Sequence, residues 1–355
     1  MESDLGKAVV NAPFTVSELL SNWKAAILTC NLPKESRMDG ISKWIILTRA
    51  CVFSMTVTSG LIGGLLAGTA KTEPIGWLYF ALSVIGITIA HAANNLINDY
   101  FDFEAGVDGS DNYARARYAP HPIISGLVTK AHLRNVILAL NVIDGAIMVY
   151  LTAMRGLPVL FFALAGLFIS VFYVAPPIRL KKIGLGELGV VLVWGPLMIG
   201  GTYFVTVGEI PLWVMIASLP YAFLVGTVLM GKHIDKAPQD KPMKTHTLPV
   251  LLGDKNALRL NQIVSVLFYV AIIGLVIAGN MTPWMLVVVF SIPMLITTLK
   301  RYSEPKPAEM AESPLYYVGV AFYFTRAAGF WLMVGLLLNL VLPVSFIQSL
   351  LATPR

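Results

Sequence analysis

Charged residues are scarce in this chain, and their scarcity excludes an ordinary soluble protein. Only 13% of the 355 residues are Asp, Glu, Lys or Arg, whereas 56% are hydrophobic and the mean hydropathy is +0.72. A soluble domain carries about a quarter charged residues. The composition therefore predicts an integral membrane protein whose surroundings include the lipid bilayer, and no nucleic-acid partner is expected.

Cysteine is also rare, and the chain shows no cleavable leader. The two cysteines, Cys30 and Cys51, predict neither a disulfide framework nor a metal site. The first 40 residues are polar and mixed, without the charged-then-apolar run of a signal peptide. Within them, residues 16–32 are compatible with a short amphipathic helix on the membrane surface or with a disordered leader.

Long apolar runs are abundant, and they predict an all-α polytopic membrane protein. A membrane helix needs about 20 predominantly apolar residues. The nine predicted spans cover residues 44–68, 75–97, 133–153, 156–175, 186–206, 211–230, 261–279, 282–299 and 316–342. The chain then divides into an N-terminal cytoplasmic or interfacial segment, 1–43, and one transmembrane domain, 44–345. Two large loops are predicted at about 98–132 and 231–260.

Basic residues sort to one side of these spans. If the N-terminus is cytoplasmic, 21 of the 26 Lys and Arg lie in inside segments and three lie in outside segments. Loops rich in Lys and Arg stay in the cytoplasm. The pattern predicts a protein of the cytoplasmic membrane with its N-terminus inside. Its site is expected to open to the cytoplasm, because every long polar loop lies on that side.

An acidic, amide-rich stretch ends the second predicted span. On a continuing helix Asp99 and Asp102 share a face, and Asn95 lies one turn before Asp99. Gly106 is expected to end the helix, which lets Asp108 approach from the loop. Oxygen ligands at this spacing suit Mg²⁺, which usually binds one or two carboxylates together with phosphate oxygens. Solvated acids at a helix end are the alternative.

A second acidic segment follows the sixth predicted span. Asp235 and Asp240 are five residues apart, about 140° around an ideal helix, so a regular helix would not place them on one face. Pro238 disfavours a regular helix. We therefore expect a loop that brings the two acids together if both bind metal, with a solvated charged loop as the alternative. Asp235 is the stronger candidate because it lies nearer the membrane.

Basic and amide side chains near both acidic segments complete a combination that predicts diphosphate chemistry. Carboxylates hold Mg²⁺, and Mg²⁺ with basic side chains binds a diphosphate and stabilises charge on the leaving oxygen. An isoprenyl diphosphate would place its head at the cytoplasmic mouth and its tail between helices. The substrate-binding candidates are Asn95, Asn98, Arg49, Arg115, Arg117, Lys232, Lys236 and Lys241. For Arg49, inside a predicted span, snorkelling or helix pairing is the alternative.

The motifs resemble the UbiA superfamily of intramembrane prenyltransferases, most closely the branch that prenylates 1,4-dihydroxy-2-naphthoate in menaquinone synthesis. Residues 95–108 are similar to the first aspartate-rich motif of that branch. Residues 173–179 and 184–189 resemble the loop after its fourth helix, and residues 247–250 resemble the end of its second motif. In that second motif the family usually has two acids four residues apart, one fewer than in this chain.

The resemblance implies a nine-helix fold around a central cavity, with two Mg²⁺ ions bridged by a prenyl diphosphate. It implies that the first ion is held by Asn95, Asp99, Asp102 and Asp108. It implies that the second ion is held by Asp235 and Asp240. It also implies that Lys182 or Arg179, with Tyr173, contacts the diphosphate. The candidate catalytic residues are thereby Asp99, Asp102, Asp235 and Lys182.

The predicted function is Mg²⁺-dependent transfer of a prenyl group from an isoprenyl diphosphate to an aromatic acceptor. A transferase of the same fold with a non-aromatic acceptor, or a terpene cyclase, is the enzymatic alternative, and a product assay with candidate acceptors separates these. The non-enzymatic alternative is a transporter. Transporters place their binding sites near the bilayer midplane, whereas the acids of this chain are predicted at helix ends.

Overall fold

The computed structural model describes residues 13–33, 35–69, 76–106, 119–311 and 313–342. Its α-helices, numbered in chain order, are α1 (Val16–Thr29), α2 (Gly40–Leu47), α3 (Phe53–Thr69), α4 (Trp77–Glu104), α5 (Lys130–Arg155), α6 (Pro158–Phe172), α7 (Gly186–Leu192), α8 (Gly201–Val207), α9 (Leu212–Ala217), α10 (Leu219–Asp240), α11 (Leu248–Leu252), α12 (Asp254–Ile277), α13 (Ile292–Ser303) and α14 (Tyr316–Val341). Short 3₁₀ segments cover Ala50–Val52, Leu180–Ile183, Pro283–Ser291 and Ala308–Met310, and Val193–Gly200 is π-helical.

Eight helical segments within the described residues are long and apolar enough to cross a membrane. They are Ala50–Thr69, Trp77–Glu104, Lys130–Arg155, Gly186–Val207, Leu212–Asp240, Asp254–Ile277, Pro283–Ser303 and Tyr316–Val341. The predicted span 156–175 corresponds to α6, an apolar helix of 15 residues that is shorter than these eight. The prediction of an all-α polytopic protein is confirmed, and each of the nine predicted spans overlaps described helix, eight of them at full crossing length.

The first span begins later than the sequence predicted. Helix α2 ends at Leu47, and Arg49 has a left-handed backbone conformation with φ of 59°. A left-handed residue does not continue a right-handed helix, so the crossing segment starts at Ala50. The prediction that Arg49 lies inside a span is wrong, because Arg49 occupies the turn immediately before it.

The chain forms two compact units, each with its own buried core. The first comprises Met1–Ser54 and His91–Leu140, and the second comprises Met55–Ala90 and Asn141–Arg355. Leu47, Leu96, Val128 and Leu133 form a buried cluster in the first unit. Met230, Ile234, Ala257, Tyr302, Tyr316 and Tyr317 form one in the second. The predicted boundary between residues 43 and 44 stays a prediction.

Asp39 organises the helices that begin the first unit. Its Oδ1 accepts hydrogen bonds from the backbone N–H of Ile41 at 3.0 Å and of Ser42 at 2.9 Å, which caps α2. Trp23 Nε1 donates to the same oxygen at 3.1 Å, and Asn22 Nδ2 donates to Oδ2 at 3.2 Å. These contacts attach α1 to the start of α2. Helix α1 confirms the helical alternative for this part of the chain.

The two cysteines form a disulfide bond. Cys30 follows the last residue of α1, and Cys51 lies in the 3₁₀ turn before α3. The expectation that the cysteines have no disulfide role is wrong. The two residues are 21 positions apart, and only the docking of α1 brings them together, which spacing in the sequence does not reveal.

Arg155 hydrogen-bonds to the carbonyl groups at the C-terminal end of α8 in the second unit. Its Nε donates to the carbonyl of Val205 at 2.8 Å, and its Nη2 donates to the carbonyl of Thr206 at 2.9 Å. Its guanidinium also lies 4.7 Å from the centroid of the Tyr79 ring. The last carbonyls of an α-helix have no partner within the helix and carry partial negative charge, so a cation here stabilises the helix end.

Candidate functional site

The first acidic cluster lies on the last turns of α4, in the first unit. The helix continues to Glu104, and Gly106 follows with φ of 65°, as predicted. Four polar side chains of these turns are at most 9% exposed, namely Asn95, Asn98, Asp99 and Asp102. Because α4 is helical throughout this stretch, Asp99 and Asp102 lie on one side of it, as predicted. The alternative of solvated acids does not hold for these residues.

Arg49 forms an ion pair with Asp99. One helical turn earlier, Asn95 Nδ2 donates to the carbonyl of Thr48 at 2.8 Å. The turn that contains Thr48 and Arg49 is therefore attached to two successive turns of α4. The structure thus shows the pairing of Arg49 with another helix that was the alternative to substrate binding. This pairing places the guanidinium beside Asp99, a predicted metal ligand.

Asn98 supplies the observation that tests whether this helix end suits a metal ion. Its Oδ1 is buried and accepts no hydrogen bond from the residues that the structure describes. An unsatisfied buried acceptor costs about 1–3 kcal/mol, so this oxygen suits a donor or cation supplied by a ligand. Mg²⁺ binds amide and carboxylate oxygens, and the side chains at this helix end fit it chemically.

The second acidic cluster lies at the end of α10, in the second unit. The prediction of a loop at Asp235 and Asp240 is wrong, because α10 remains helical to Asp240 and includes Pro238. Pro238 has no N–H to donate to the carbonyl of Ile234, four residues earlier, yet the helix continues past it to Asp240. On the continuous helix the two acids project in directions about 140° apart.

The two carboxylates of this helix end have different surroundings. Asp235 Oδ1 lies 2.8 Å from Lys306 Nζ, and its Oδ2 accepts a hydrogen bond from the backbone N–H of Val318 at 2.9 Å. Asp240 is only 2% exposed, and its Oδ2 accepts no hydrogen bond from any described residue. An open carboxylate oxygen is therefore available at Asp240.

The loop after α6 buries a lysine that the sequence analysis missed. The backbone N–H of Lys181 donates to the carbonyl of Tyr173 at 3.0 Å, and Lys181 is 7% exposed. Lys182 and Arg179, the residues that were predicted to contact a diphosphate, are half-buried, and Arg179 is left-handed with φ of 51°. The roles of Lys182 and Arg179 stay predictions. The only sequence signal for Lys181 was its position between these two residues.

A buried hydrogen-bonded chain joins α10, α7 and the residue that follows α6, all in the second unit. His233 Nδ1 lies 2.6 Å from Glu187 Oε1, and His233 Nε2 lies 3.2 Å from the hydroxyl oxygen of Tyr173. All three side chains are at most 9% exposed. A carboxylate at Nδ1 favours the tautomer with its proton there, which leaves Nε2 to accept the Tyr173 hydroxyl. No sequence signal pointed to this set of contacts, because Tyr173, Glu187 and His233 are far apart in the sequence.

Of the remaining predicted residues, three lie on or just after α10 and three lie outside the described residues. Lys232 and Lys236 are half-buried on α10, and Lys241 is exposed just after it. Asp108, Arg115 and Arg117 lie outside the described residues, so their roles stay predictions. Within the described ranges, no three His, Cys, Asp or Glu side chains are grouped to hold a metal ion. Mg²⁺ does not require such a cage, since it usually shares carboxylates with substrate phosphates.

Comparisons with known proteins agree with the resemblance noted in the sequence. The model of the UbiA prenyltransferase family matches residues 56–320. The 1,4-dihydroxy-2-naphthoate octaprenyltransferase of Bacillus subtilis (strain 168) is 27% identical over 296 residues, which are 82% of this chain and 91% of that protein. The apo structure of a UbiA homolog from Aeropyrum pernix K1 has a TM-score of 0.61 at 17% identity, and the similarity covers 81% of this chain and 97% of the homolog. A UbiA homolog from Archaeoglobus fulgidus bound to GPP and Mg²⁺ has a TM-score of 0.58 at 16% identity, with 82% and 99% covered.

Proposed function

Because the chain belongs to the UbiA prenyltransferase family and is a prenyltransferase, we propose that it prenylates an aromatic acceptor of the 1,4-dihydroxy-2-naphthoate type, with Mg²⁺ as cofactor. The name of the Bacillus subtilis relative supports the acceptor, and the GPP and Mg²⁺ in the Archaeoglobus fulgidus homolog support the donor and the metal. The observation that carries the proposal is the buried oxygen-rich end of α4, where Asn98 Oδ1 has no hydrogen-bond donor among described residues.

We assign the acidic and amide side chains to Mg²⁺ and the basic side chains to the diphosphate. In the first unit, Asn98, Asp99 and Asp102 would hold Mg²⁺, and in the second unit Asp240 is a separate candidate ligand. When bound, Mg²⁺ supplies stabilisation of the negative charge on the departing diphosphate. Lys181 and the basic side chains of α10 are candidates to bind the diphosphate. In the reaction the C–O bond of the allylic diphosphate breaks, a ring carbon of the acceptor forms the new C–C bond, and that ring carbon loses a proton. The prediction that two ions and both clusters serve one diphosphate stays a prediction.

The membrane orientation is part of the same proposal. The excess of Lys and Arg in the segments assigned to the inside supports a cytoplasmic N-terminus and a site that opens to the cytoplasm. The bilayer then provides an apolar medium for the prenyl tail, while the charged diphosphate stays at the helix ends.

Mass spectrometry of reaction products tests the proposal. Full-length protein in lipid nanodiscs, given Mg²⁺, 1,4-dihydroxy-2-naphthoate and prenyl diphosphates of several lengths, is expected to yield a prenylated naphthoate. Asp99→Asn and Asp102→Asn should each lower turnover by about 100-fold and leave the protein folded. Full turnover in either variant rejects the site, and products formed only from lipid or sugar phosphates reject the acceptor.

Glu104→Gln is the matched control. Glu104 ends the same helix, but its side chain is 43% exposed and pairs with Lys130 on the surface. Exposed substitutions of this kind usually change stability by less than about 0.5 kcal/mol, so we expect turnover close to that of the wild type.

A further inference from the structure

We infer that Asp235 is a positioning residue, which fixes the start of α14 and the segment before it, and that Asp240 is the carboxylate of this helix end that binds Mg²⁺. The inference rests on the proposed function, since it concerns the metal that the prenyl transfer would use. It assigns different roles to two acids for which the sequence predicted the same role.

Both oxygens of Asp235 have contacts within the second unit: Oδ2 accepts the hydrogen bond from Val318, and Oδ1, which accepts no hydrogen bond from described residues, lies in an ion-pair contact with Lys306. Val318 is the third residue of α14, so its N–H is one of the donors that has no partner inside the helix. A carboxylate that accepts this N–H also places negative charge at the positive end of the helix. Asp235 thus does for α14 what a capping residue does, from a neighbouring helix.

Lys306 neutralises the charge of Asp235. Its Nζ lies 2.8 Å from Asp235 Oδ1, donates to the carbonyl of Ser313 at 3.1 Å, and lies 5.1 Å from the centroid of the Tyr317 ring. These three contacts fix the lysine between α13 and α14. A metal ion at Asp235 would compete with this half-buried lysine at Oδ1 and with the Val318 N–H at Oδ2.

Gly231 explains why Asp235 reaches α14. A Cβ atom at Gly231 would lie 2.7 Å from the carbonyl oxygen of Tyr317, so the two helices are in backbone contact at this point. Asp235 lies four residues after Gly231 and therefore on the same face of α10. The face that packs against α14 is the face that presents Asp235.

Asp240 has the opposite environment. It is rotated about 140° from Asp235 around α10, is 2% exposed, and has an Oδ2 that accepts no hydrogen bond within the described residues. Binding a cation there satisfies an oxygen and disturbs no hydrogen bond of that oxygen with a described residue, whereas binding one at Asp235 competes with an ion pair and a helix cap. The balance of contacts favours Asp240.

The test measures metal binding and the helix cap separately. Full-length protein in nanodiscs is titrated with Mn²⁺, as a paramagnetic probe for the Mg²⁺ site, in the presence of inorganic pyrophosphate. Hydrogen–deuterium exchange of the peptide that contains Val318 reports the cap. Asp240→Asn should weaken Mn²⁺ binding by about tenfold or more and leave the exchange unchanged. Asp235→Leu should accelerate the exchange and weaken Mn²⁺ binding much less than Asp240→Asn does.

Two further comparisons keep folding effects apart from metal effects. Lys306→Met leaves Asp235 buried without its counter-ion and should lower the Tm, and Asp235→Asn combined with Lys306→Met should recover part of that loss. Gly231→Ala should also accelerate exchange at Val318, whereas Gly319→Ala, with nothing within 4 Å of the added Cβ, should not.

The inference is overturned if Asp235→Leu weakens Mn²⁺ binding as much as Asp240→Asn does, or if it leaves exchange at Val318 at the wild-type rate. If the wild type itself binds no Mn²⁺ with pyrophosphate, the proposed function fails first and the inference falls with it. The two failures are distinguishable, because failure of the proposed function is seen in the wild type, whereas failure of the inference is seen only when the variants are compared.

Discussion

Arg49 is paired with Asp99, a partner 50 residues away in the sequence. The arginine is held in a left-handed backbone conformation, which costs a non-glycine residue about 1–2 kcal/mol. The ion pair, together with the hydrogen bond from Asn95 to the Thr48 carbonyl, offsets this cost. The turn before the first span is thereby fixed to the helix that carries the proposed metal ligands.

Replacing Arg49 with methionine should destabilise the protein by about 3–5 kcal/mol, because Asp99 is 1% exposed and loses its ion-pair partner. If Asp99 binds Mg²⁺, the cation should compensate for the missing guanidinium, and Mg²⁺ should raise the Tm of Arg49→Met more than that of the wild type. Thermal unfolding in detergent with and without Mg²⁺ checks this. Arg49→Lys, which keeps the charge, is the control, and an Arg49→Met protein as stable as the wild type contradicts the prediction.

The pair between His233 and Glu187 should be strongly coupled. His233→Leu leaves Glu187 as a buried carboxylate without its donor at Oε1, which costs more than the loss of an ordinary neutral hydrogen bond, itself about 1 kcal/mol. The double variant Glu187→Leu/His233→Leu should be more stable than His233→Leu alone. A double-mutant cycle of Tm values measures the coupling, with His246→Leu, an exposed histidine, as control. Additive effects of the two substitutions would show that the pair contributes nothing.

Asp39 should make the α1–α2 contact sensitive to acid. Burial alone would raise the pKa of Asp39, but hydrogen bonds from Ser42, Trp23 and Asn22 outweigh it and lower the pKa from 3.8 to about 2. A carboxyl group with a depressed pKa in the folded state stabilises that state above its unfolded pKa, and the stabilisation is lost as the pH falls toward the folded value. The contact should therefore weaken between about pH 4 and pH 2.

Trp23 provides the measurement, since its indole N–H donates to Asp39. The fluorescence difference between the wild type and Trp23→Phe should change across this acid range. Asp39→Asn, which lacks the titrating group, should show no such transition, and a transition of the same size in that variant would assign the effect to another group.

The helices were largely predictable, because an apolar run of about 20 residues is by itself enough to indicate a membrane-spanning helix. Each of the nine runs coincides with helix over most of its described residues, and the acids of α4 lie on one side because a three-residue spacing is a local property of a helix. Two local expectations failed. Arg49 breaks the first run through its left-handed backbone conformation, and Pro238 does not end α10, which continues to Asp240.

The partners of the site residues were not predictable, because they depend on packing between distant segments. Lys306 and Val318 approach Asp235 only after α10 and α14 make backbone contact at Gly231. In the same way, nothing near His233 in the sequence indicates that Glu187 is its partner. Composition and spacing identify the acidic residues. Which of their carboxylate oxygens have partners depends on how the helices pack.

Arg155 is also relevant to the proposed orientation of the protein in the membrane. The sequence assigns it to the outer side, where a basic residue counts against the proposed orientation. Its guanidinium keeps its full positive charge, but two of its nitrogens donate to the carbonyls of Val205 and Thr206 at the end of α8. The position of Arg155 is therefore accounted for by a contact within the protein. Removing Arg155 should loosen a helix terminus without turning the protein over.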